Sequence, residues 1–271
     1  MRTGTRDRYW LGVIGCAWAA TLLVSAPASA QDSGGSPEKW QIEVTPYFFA
    51  AGFDGTAGVN GVTSNVHMGV GDVLDRLDGA FMGMVEMRKG PWSLVFDGGY
   101  MHLKEEASKT WSGPGGIGTS TGELTADATE EIYGLYVGHR IDQGASRVDF
   151  FGGLRFTRIE THLDLVSSTG GSLPGATNSV SDEQSWFDPI IGFRIIVPFA
   201  EQWSAVGYAD IGGFGVGSVL TSQSLIGVNW ELTKTFVAKL GYRYLYQNYD
   251  NNDFTWDMLT SGPYLGVGIR F

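Results

Sequence analysis

The sequence closes on PYLGVGIRF (Pro263–Phe271), in which Leu265, Val267, Ile269 and Phe271 fall on one face and Tyr264, Gly266, Gly268 and Arg270 on the other. Strict alternation is the signature of a β-strand, because successive side chains point to opposite sides of the backbone. One face here is wholly apolar and ends on an aromatic; the other is glycine-rich and carries a charge. A strand that offers one face to a greasy surrounding and the other to a polar space is the unit from which a membrane β-barrel is built.

The same period of two recurs upstream. In WQIEVTPYFFA (40–50), Trp40, Ile42, Val44, Pro46 and Phe48 oppose Gln41, Glu43, Thr45 and Tyr47. Phe81, Gly83, Val85 and Met87 oppose Met82, Met84, Glu86 and Arg88, and Trp92, Leu94, Phe96 and Tyr100 oppose Ser93, Val95 and Asp97. Val148, Phe150, Leu154 and Phe156 oppose Asp149 and Arg155; Ile191, Phe193, Ile195 and Val197 oppose Asp188 and Arg194. Trp203, Ala205, Ala209 and Ile211 oppose Tyr208 and Asp210; Ile226, Val228 and Trp230 oppose Gln223 and Glu231; Phe236, Ala238, Leu240, Tyr242 and Tyr244 oppose Lys239 and Arg243. Only EIYGLYVGHR (131–140) is apolar on both faces, which leaves its orientation open.

Connections alternate in length. Residues 89–91, 142–146, 199–202 and 232–234 are tight turns, whereas 104–128, 166–184 and 248–260 read as long excursions rich in Gly, Ser, Thr and Asn. Residues 51–78 form a further excursion, with a hairpin at Asn60-Gly61, a pair suited to a type I′ turn. A short helical turn follows near 71–78, capped by Asp72, with Val73, Leu74 and Leu77 on one face. Short turns on one side and long connections on the other suit an up-and-down barrel of ten strands, with eight and twelve as the alternative counts.

The first 30 residues carry Arg2, Arg6 and Arg8, a mostly apolar run from Tyr9 to Val24 and ASA at 28–30, the pattern of a secretory signal peptide. Residues 31–39 read as a flexible segment before a barrel over 40–271. Cys16, the only cysteine, lies within the signal, so no disulfide framework is expected; VIGC before it only loosely fits a lipidation site. The formal charge of −11 becomes −13 once residues 1–30 are removed, which disfavours nucleic acid as a partner. With 40 Gly and 35 aromatic residues, and no apolar run of the roughly 20 residues that a membrane helix needs, the composition suits β-structure in lipid.

A soluble β-sandwich also alternates. Against it stand aromatics at both ends of the apolar faces: Trp92, Trp203, Trp230 and Phe236 near the short turns, and Tyr100, Tyr242 and Tyr244 toward the long connections. The opposite faces gather charges of both signs in mid-strand. Glu43, Glu86, Asp97, Asp149, Asp188, Asp210 and Glu231 stand with Arg88, Arg155, Arg194, Lys239, Arg243 and Arg270. In a narrow lumen such near-balanced charges are expected to pair across the interior.

PYLGVGIRF resembles the C-terminal insertion signal of bacterial outer-membrane barrels, with Ile269 two residues before the terminal Phe271. TPYFFAAGFDGTAGV, GDVLDRLDGAFMGMVEMRKGPWSLVFD, DIGGFGVGS and LGYRYLYQNYD resemble a family of proteobacterial outer-membrane β-barrels of unassigned function. The resemblance implies an outer-membrane location after export. It also implies lipid and lipopolysaccharide as surroundings and insertion by the barrel-assembly machinery through Leu265, Val267, Ile269 and Phe271. It brings no catalytic motif and no cofactor.

The functional expectation is a non-enzymatic barrel, either a narrow passive channel, ranked first, or a plugged structural barrel. A loop-mediated adhesion or binding protein and a rim hydrolase are the alternatives. For the last, His102 with Glu105, Glu106 and Ser108, and His162 with Glu160 and Asp164, are the best candidates among His67, His102, His139 and His162. Asp72, Asp75 and Asp78, and Asp250, Asn252, Asp253 and Asp257, are acidic clusters without the spacing of a Ca²⁺ loop. GGFGVG and GPGGIG are not phosphate loops, since no helix follows them.

Overall fold

The computed structural model describes residues 39–59, 62–112, 119–169, 176–251 and 253–271. The expected signal peptide (1–30), Asn60-Gly61 and Asn252 lie outside the described residues. In chain order the elements are β1 (Gln41–Phe49), β2 (Gly52–Val59), β3 (Val62–Met68), α1 (Val70–Arg76), β4 (Leu77–Lys89), β5 (Trp92–Ser112) and β6 (Thr119–Gln143). They continue with β7 (Ser146–Thr169), β8 (Ala176–Ala200), β9 (Trp203–Gly212), β10 (Leu220–Glu231), β11 (Phe236–Asp250) and β12 (Phe254–Arg270). No helix among the described residues is long and apolar enough to cross a membrane.

Every sequential neighbour from β4 to β12 pairs antiparallel, β1 pairs with β4, and β12 returns to β1, so the sheet closes as a ten-stranded barrel. At the seam Glu43 faces Arg270 and Phe49 faces Tyr264, and the Phe271 N–H donates to the Ile42 carbonyl at 2.9 Å. Closure leaves no free edge around the belt, as backbone N–H and C=O groups in an apolar surrounding require.

The excursion expected at 51–78 is largely strand. β2 continues β1 along β12 in the same register, Phe49 facing Tyr264 and Gly52 facing Ser261, with a break only at Ala50-Ala51. A Cβ on Gly262 would sit 1.9 Å from the Ala50 carbonyl oxygen, so glycine is what permits the close approach at that break. β3 returns along β2, and α1 then carries the chain to β4. The helix is capped differently from expectation. Gly69 is the N-cap, and Asp72, in the first turn, accepts from the Gly69 N–H at 2.9 Å. Val73 is buried, but Leu74 is exposed. The 104–128, 166–184 and 248–260 stretches are likewise mostly strand, paired out to Ser112–Thr119, Ser167–Ala176 and Asp250–Thr255. Their glycines and hydroxyls suggested loops, but cross-strand pairing overrode that local preference. β6 has 25 residues where a membrane strand needs roughly 9–11, so about half of it stands beyond the belt.

The outer surface carries an apolar band around the barrel, with Leu94, Phe96, Leu135, Val137, Phe150, Leu154, Ile191, Phe193, Ile226, Leu240 and Leu265 all exposed. A soluble monomer would not leave so continuous an apolar surface in water. Trp92 and Tyr100, eight residues apart on β5, bound it, about 26 Å along the strand. At the short-turn end, called lower below, Trp203 stacks on Trp230 at 5.1 Å. The strand whose orientation was open resolves: Leu135 and Val137 face out, and Gly134, Tyr136 and Gly138 are buried inside.

Candidate functional site: the barrel lumen

All thirteen charged residues expected inside occupy the inward face, because each lies an even number of residues from a buried neighbour on its strand. They form distinct tiers. In the lowest, Lys239 donates to Glu43 and to the Thr45 hydroxyl, and Arg270 bridges Glu43 (2.9 Å) and Glu231 (3.2 Å).

The next tier spans the lumen. Arg194 on β8 makes a fork to Glu86 on β4, at 2.8 and 2.9 Å, and also donates to Asp149 at 2.6 and 2.9 Å. Arg88 donates to Glu86 at 2.6 Å, and Arg140 clasps Asp149 at 2.7 and 2.9 Å. Paired forks of this kind are the strongest ion-pair geometry.

At mid-height Arg155, fully buried, donates to Asp210 at 2.6 Å and to Thr221 at 3.0 Å. The Tyr208 hydroxyl also donates to Asp210, at 2.6 Å. Arg243 donates to Gln223 (2.7 Å) and to the Tyr47 oxygen (3.1 Å), while the Tyr47 O–H donates to Asp97 at 2.8 Å. The guanidinium of Arg243 also lies over the rings of Tyr47 and Phe49, 5.9 and 5.3 Å from their centres. Removing charges from water is costly, and here each is met by opposite charge or by several hydrogen bonds.

Asp188 departs from the expected cross-lumen pairing. It accepts from the Ser218 N–H (2.6 Å) and the Trp186 indole (3.1 Å), with no ion pair among the described residues. It thereby ties down the β9–β10 connection, where Gly213, Phe214 and Gly215 all take positive φ. Arg155 is the cross-strand neighbour of Asp188 on β7, but its guanidinium turns to Asp210 and Thr221, and the Ser218 N–H takes the Asp188 carboxylate instead.

Above these tiers the lumen turns apolar. Phe49, Phe53, Met82, Met101 and Met258 point inward and pack around Val73 of α1, with Leu77, Leu103 and Trp256 at their margin. Beside them Ile159, Trp186 and Phe254 form a second cluster; Trp186 stacks on Tyr249 at 4.2 Å. A cavity of about 460 Å³ fills the lower lumen, from Gln41, Arg147 and Phe271 up to Tyr47, Tyr136 and Tyr208. A void of about 30 Å³ lies higher; Tyr47, Asp97 and Arg243 line both spaces and stand between them.

Sequence alternation placed Tyr47, Tyr208 and Tyr264 on the inward faces without giving them a role, and it did not pick out Arg140, Arg147, Glu130 or Tyr136. The register of the β6–β7 turn, in which Gln143 faces Ser146, sets Arg140 opposite Asp149 and supplies the signal that the apolar pattern of 131–140 obscures. Glu130 faces inward near Met101, and its Oε1 is buried without a hydrogen-bond partner among the described residues.

The candidate histidines lie on the outer face of the strand extensions rather than around a lumen rim. His162 Nε2 meets both Asp164 (3.1 Å) and Ser179 (3.5 Å), whereas a triad needs nucleophile and carboxylate on opposite ring nitrogens. His102 Nδ1 meets Thr129 at 2.9 Å, but Asp78 and Asp127 stand 3.8 and 3.9 Å from Nε2, beyond hydrogen-bond reach. His67 pairs with Asp54 on the surface, and His139 packs edge-on against Trp92. Among the described residues no three His, Cys, Asp or Glu side chains converge as metal ligands would.

No family model matches the sequence, and no curated protein matches it. Solved structures do match. The outer-membrane protease OmpT of Escherichia coli aligns over 86% of this chain and 97% of its own, at 10% identity and a TM-score of 0.57. The translocator domain of the autotransporter NalP from Neisseria meningitidis covers 89% of this chain and 90% of its own, at 13% identity and a TM-score of 0.37. At these identities the likeness is one of fold: this chain has the fold of a bacterial outer-membrane β-barrel.

Proposed function

We propose that the protein is an outer-membrane barrel with a closed lumen, and that it acts by presenting the tall outer extension of its strands as a binding surface. The observation that carries this reading is the double closure. Arg155, Asp210, Arg243, Tyr47 and Asp97 tie the walls together at mid-height, and the apolar cluster around Val73 fills the mouth above. The apolar belt between aromatic girdles supports residence in a bilayer, with the short turns in the periplasm. A passive channel, the first-ranked expectation from sequence, needs a continuous water path that these two layers interrupt.

Single-channel recording of the refolded chain in a planar bilayer tests the reading. The wild type is expected to be silent. A variant with Gly52–Arg76 replaced by a short Gly-Ser link, combined with Arg243→Ala, is expected to show discrete openings. Ion-selective openings in the wild type would overturn the closed-lumen reading and restore the channel.

A further inference from the structure

The lower cavity is unlike the rest of this acidic chain. Its lining includes seven Lys or Arg side chains against four Asp or Glu, an excess that counting a carboxylate on Phe271 would reduce but not remove. The excess gathers along β4 to β8, where the ion pairs of Arg88, Arg140 and Arg194 all go to Glu86 and Asp149, and where Asp142, opposite Arg147 in the β6–β7 register, forms no ion pair with it. The Arg147 side chain makes no hydrogen bond or ion pair with any described residue. The Nε of Arg243, buried at the roof of the same cavity, also lacks an acceptor among the described residues. Arg147 is half-buried at the lower end, so its guanidinium is free for an incoming ligand, while the buried Nε of Arg243 calls for an acceptor.

The neighbouring wall is apolar. Arg147 stands opposite Ile196 in the β7–β8 register, Ile196 opposite Val206 in β8–β9, and Val206 opposite Gly227 in β9–β10. Leu225 lies two residues along the same face of β10. A purely structural polar plug has no use for Ile196, Val206 and Leu225 facing a water-accessible space. Together the two walls make an amphipathic pocket of about 460 Å³, within the range of small-molecule sites, with lining residues that reach the lower end of the barrel.

We infer that this cavity is a binding site for a small anionic amphiphile, a phosphate monoester with a short alkyl chain, that enters from the short-turn side. The guanidinium cluster, with Arg147 as its unpaired member, takes the phosphate, since planar guanidinium forks match phosphate oxygens. Ile196, Val206 and Leu225 take the alkyl chain. The site is independent of the closed-lumen reading: openings in the wild type would overturn that reading and leave this one standing.

The test is calorimetric titration of the full-length folded barrel in lipid nanodiscs, with empty discs subtracted. The probes are hexyl phosphate, inorganic phosphate and hexyltrimethylammonium. Hexyl phosphate is expected to bind one to one, at least about tenfold more tightly than either of the others. Arg147→Ala breaks no side-chain hydrogen bond or ion pair to a described residue, so it should keep the heat-modifiable gel mobility of a folded barrel while weakening hexyl phosphate about tenfold. Val206→Thr should weaken hexyl phosphate several-fold and leave inorganic phosphate unchanged. The proposal is overturned by any of three results: no saturable heat above empty discs, equal affinity in wild type and Arg147→Ala, or equal binding of the cationic probe.

Discussion

The lower and upper halves of the lumen are built from the same strands with the same alternation, yet they fill their space in opposite ways. Up to mid-height, inward positions carry Glu86, Asp149, Arg155, Arg194 and Asp210; Arg194 forks to Glu86 across the barrel at 2.8 and 2.9 Å and reaches Asp149 on the next strand at 2.6 Å, and Arg155 reaches Asp210 two strands away at 2.6 Å. Above, they carry Phe49, Met82, Met101 and Met258, packed on Val73. The difference follows from what meets each wall. In the lower half no further element enters, and charged side chains satisfy one another along the wall, as Arg140 does Asp149 on the next strand, and across the gap, as Arg194 does Glu86. In the upper half α1 enters the mouth and provides an apolar surface, so dispersion and the removal of water do the filling. An inward face is therefore not polar by default; it is whatever its opposing surface makes stable.

The largest expected effect tests the charged half. Asp210→Ala leaves the fully buried Arg155 without its carboxylate partner and should cost about 3–5 kcal/mol, read from urea unfolding in lipid vesicles by tryptophan fluorescence. The double change Arg155→Met with Asp210→Leu should cost clearly less than either single change. If it costs more, the ion pair stabilises the barrel outright and does more than match one wall to the other. The apolar half is sharpened by Met258→Ala, which leaves a cavity beside Val73 and should cost about 2–5 kcal/mol. Its effect on hydrogen exchange should centre on residues 70–76; a loss spread evenly over the barrel would mean that the two halves unfold as one unit.

The smallest effect concerns the boundary of the plug. Arg76 at the end of α1 reaches Glu105 on β5 at 2.9 Å, and this bond holds the Glu105 carboxyl below the ordinary carboxylate range. A depressed carboxylate contributes above its unfolded value, near 4.3, and loses the contribution as pH falls through the folded one. Exchange protection of residues 70–76, corrected for intrinsic rate, should therefore hold at neutral pH and decline only below about pH 4. Glu105→Gln should remove most of that dependence. An unchanged profile in the variant would show that the helix is held by Val73 alone.

Much of the fold is legible in the strand pattern. The four tight turns and the inward parity of charges such as Glu43, Asp149 and Arg243 follow from alternation and from turn residues, both of which act locally. The heights of the strands were not legible. Residues 104–112, 119–128 and 166–169 carry the polar, flexible composition of loops, and only pairing with a neighbour makes them strand. Nor could the partners inside the lumen be read. Asp188 turned from the arginines to Ser218 because the β9–β10 connection folds over it.

By itself the sequence determined the period, the tight turns and, outside 131–140, which side chains face inward, because each depends on neighbours one to four residues away. Tertiary structure alone decided which charges meet, that α1 closes the mouth, and that Arg147 is left without a partner beside Ile196 and Val206. Those relations join residues from strands far apart in the chain, and barrel closure, through the stagger of each strand against the next, sets the distances between them.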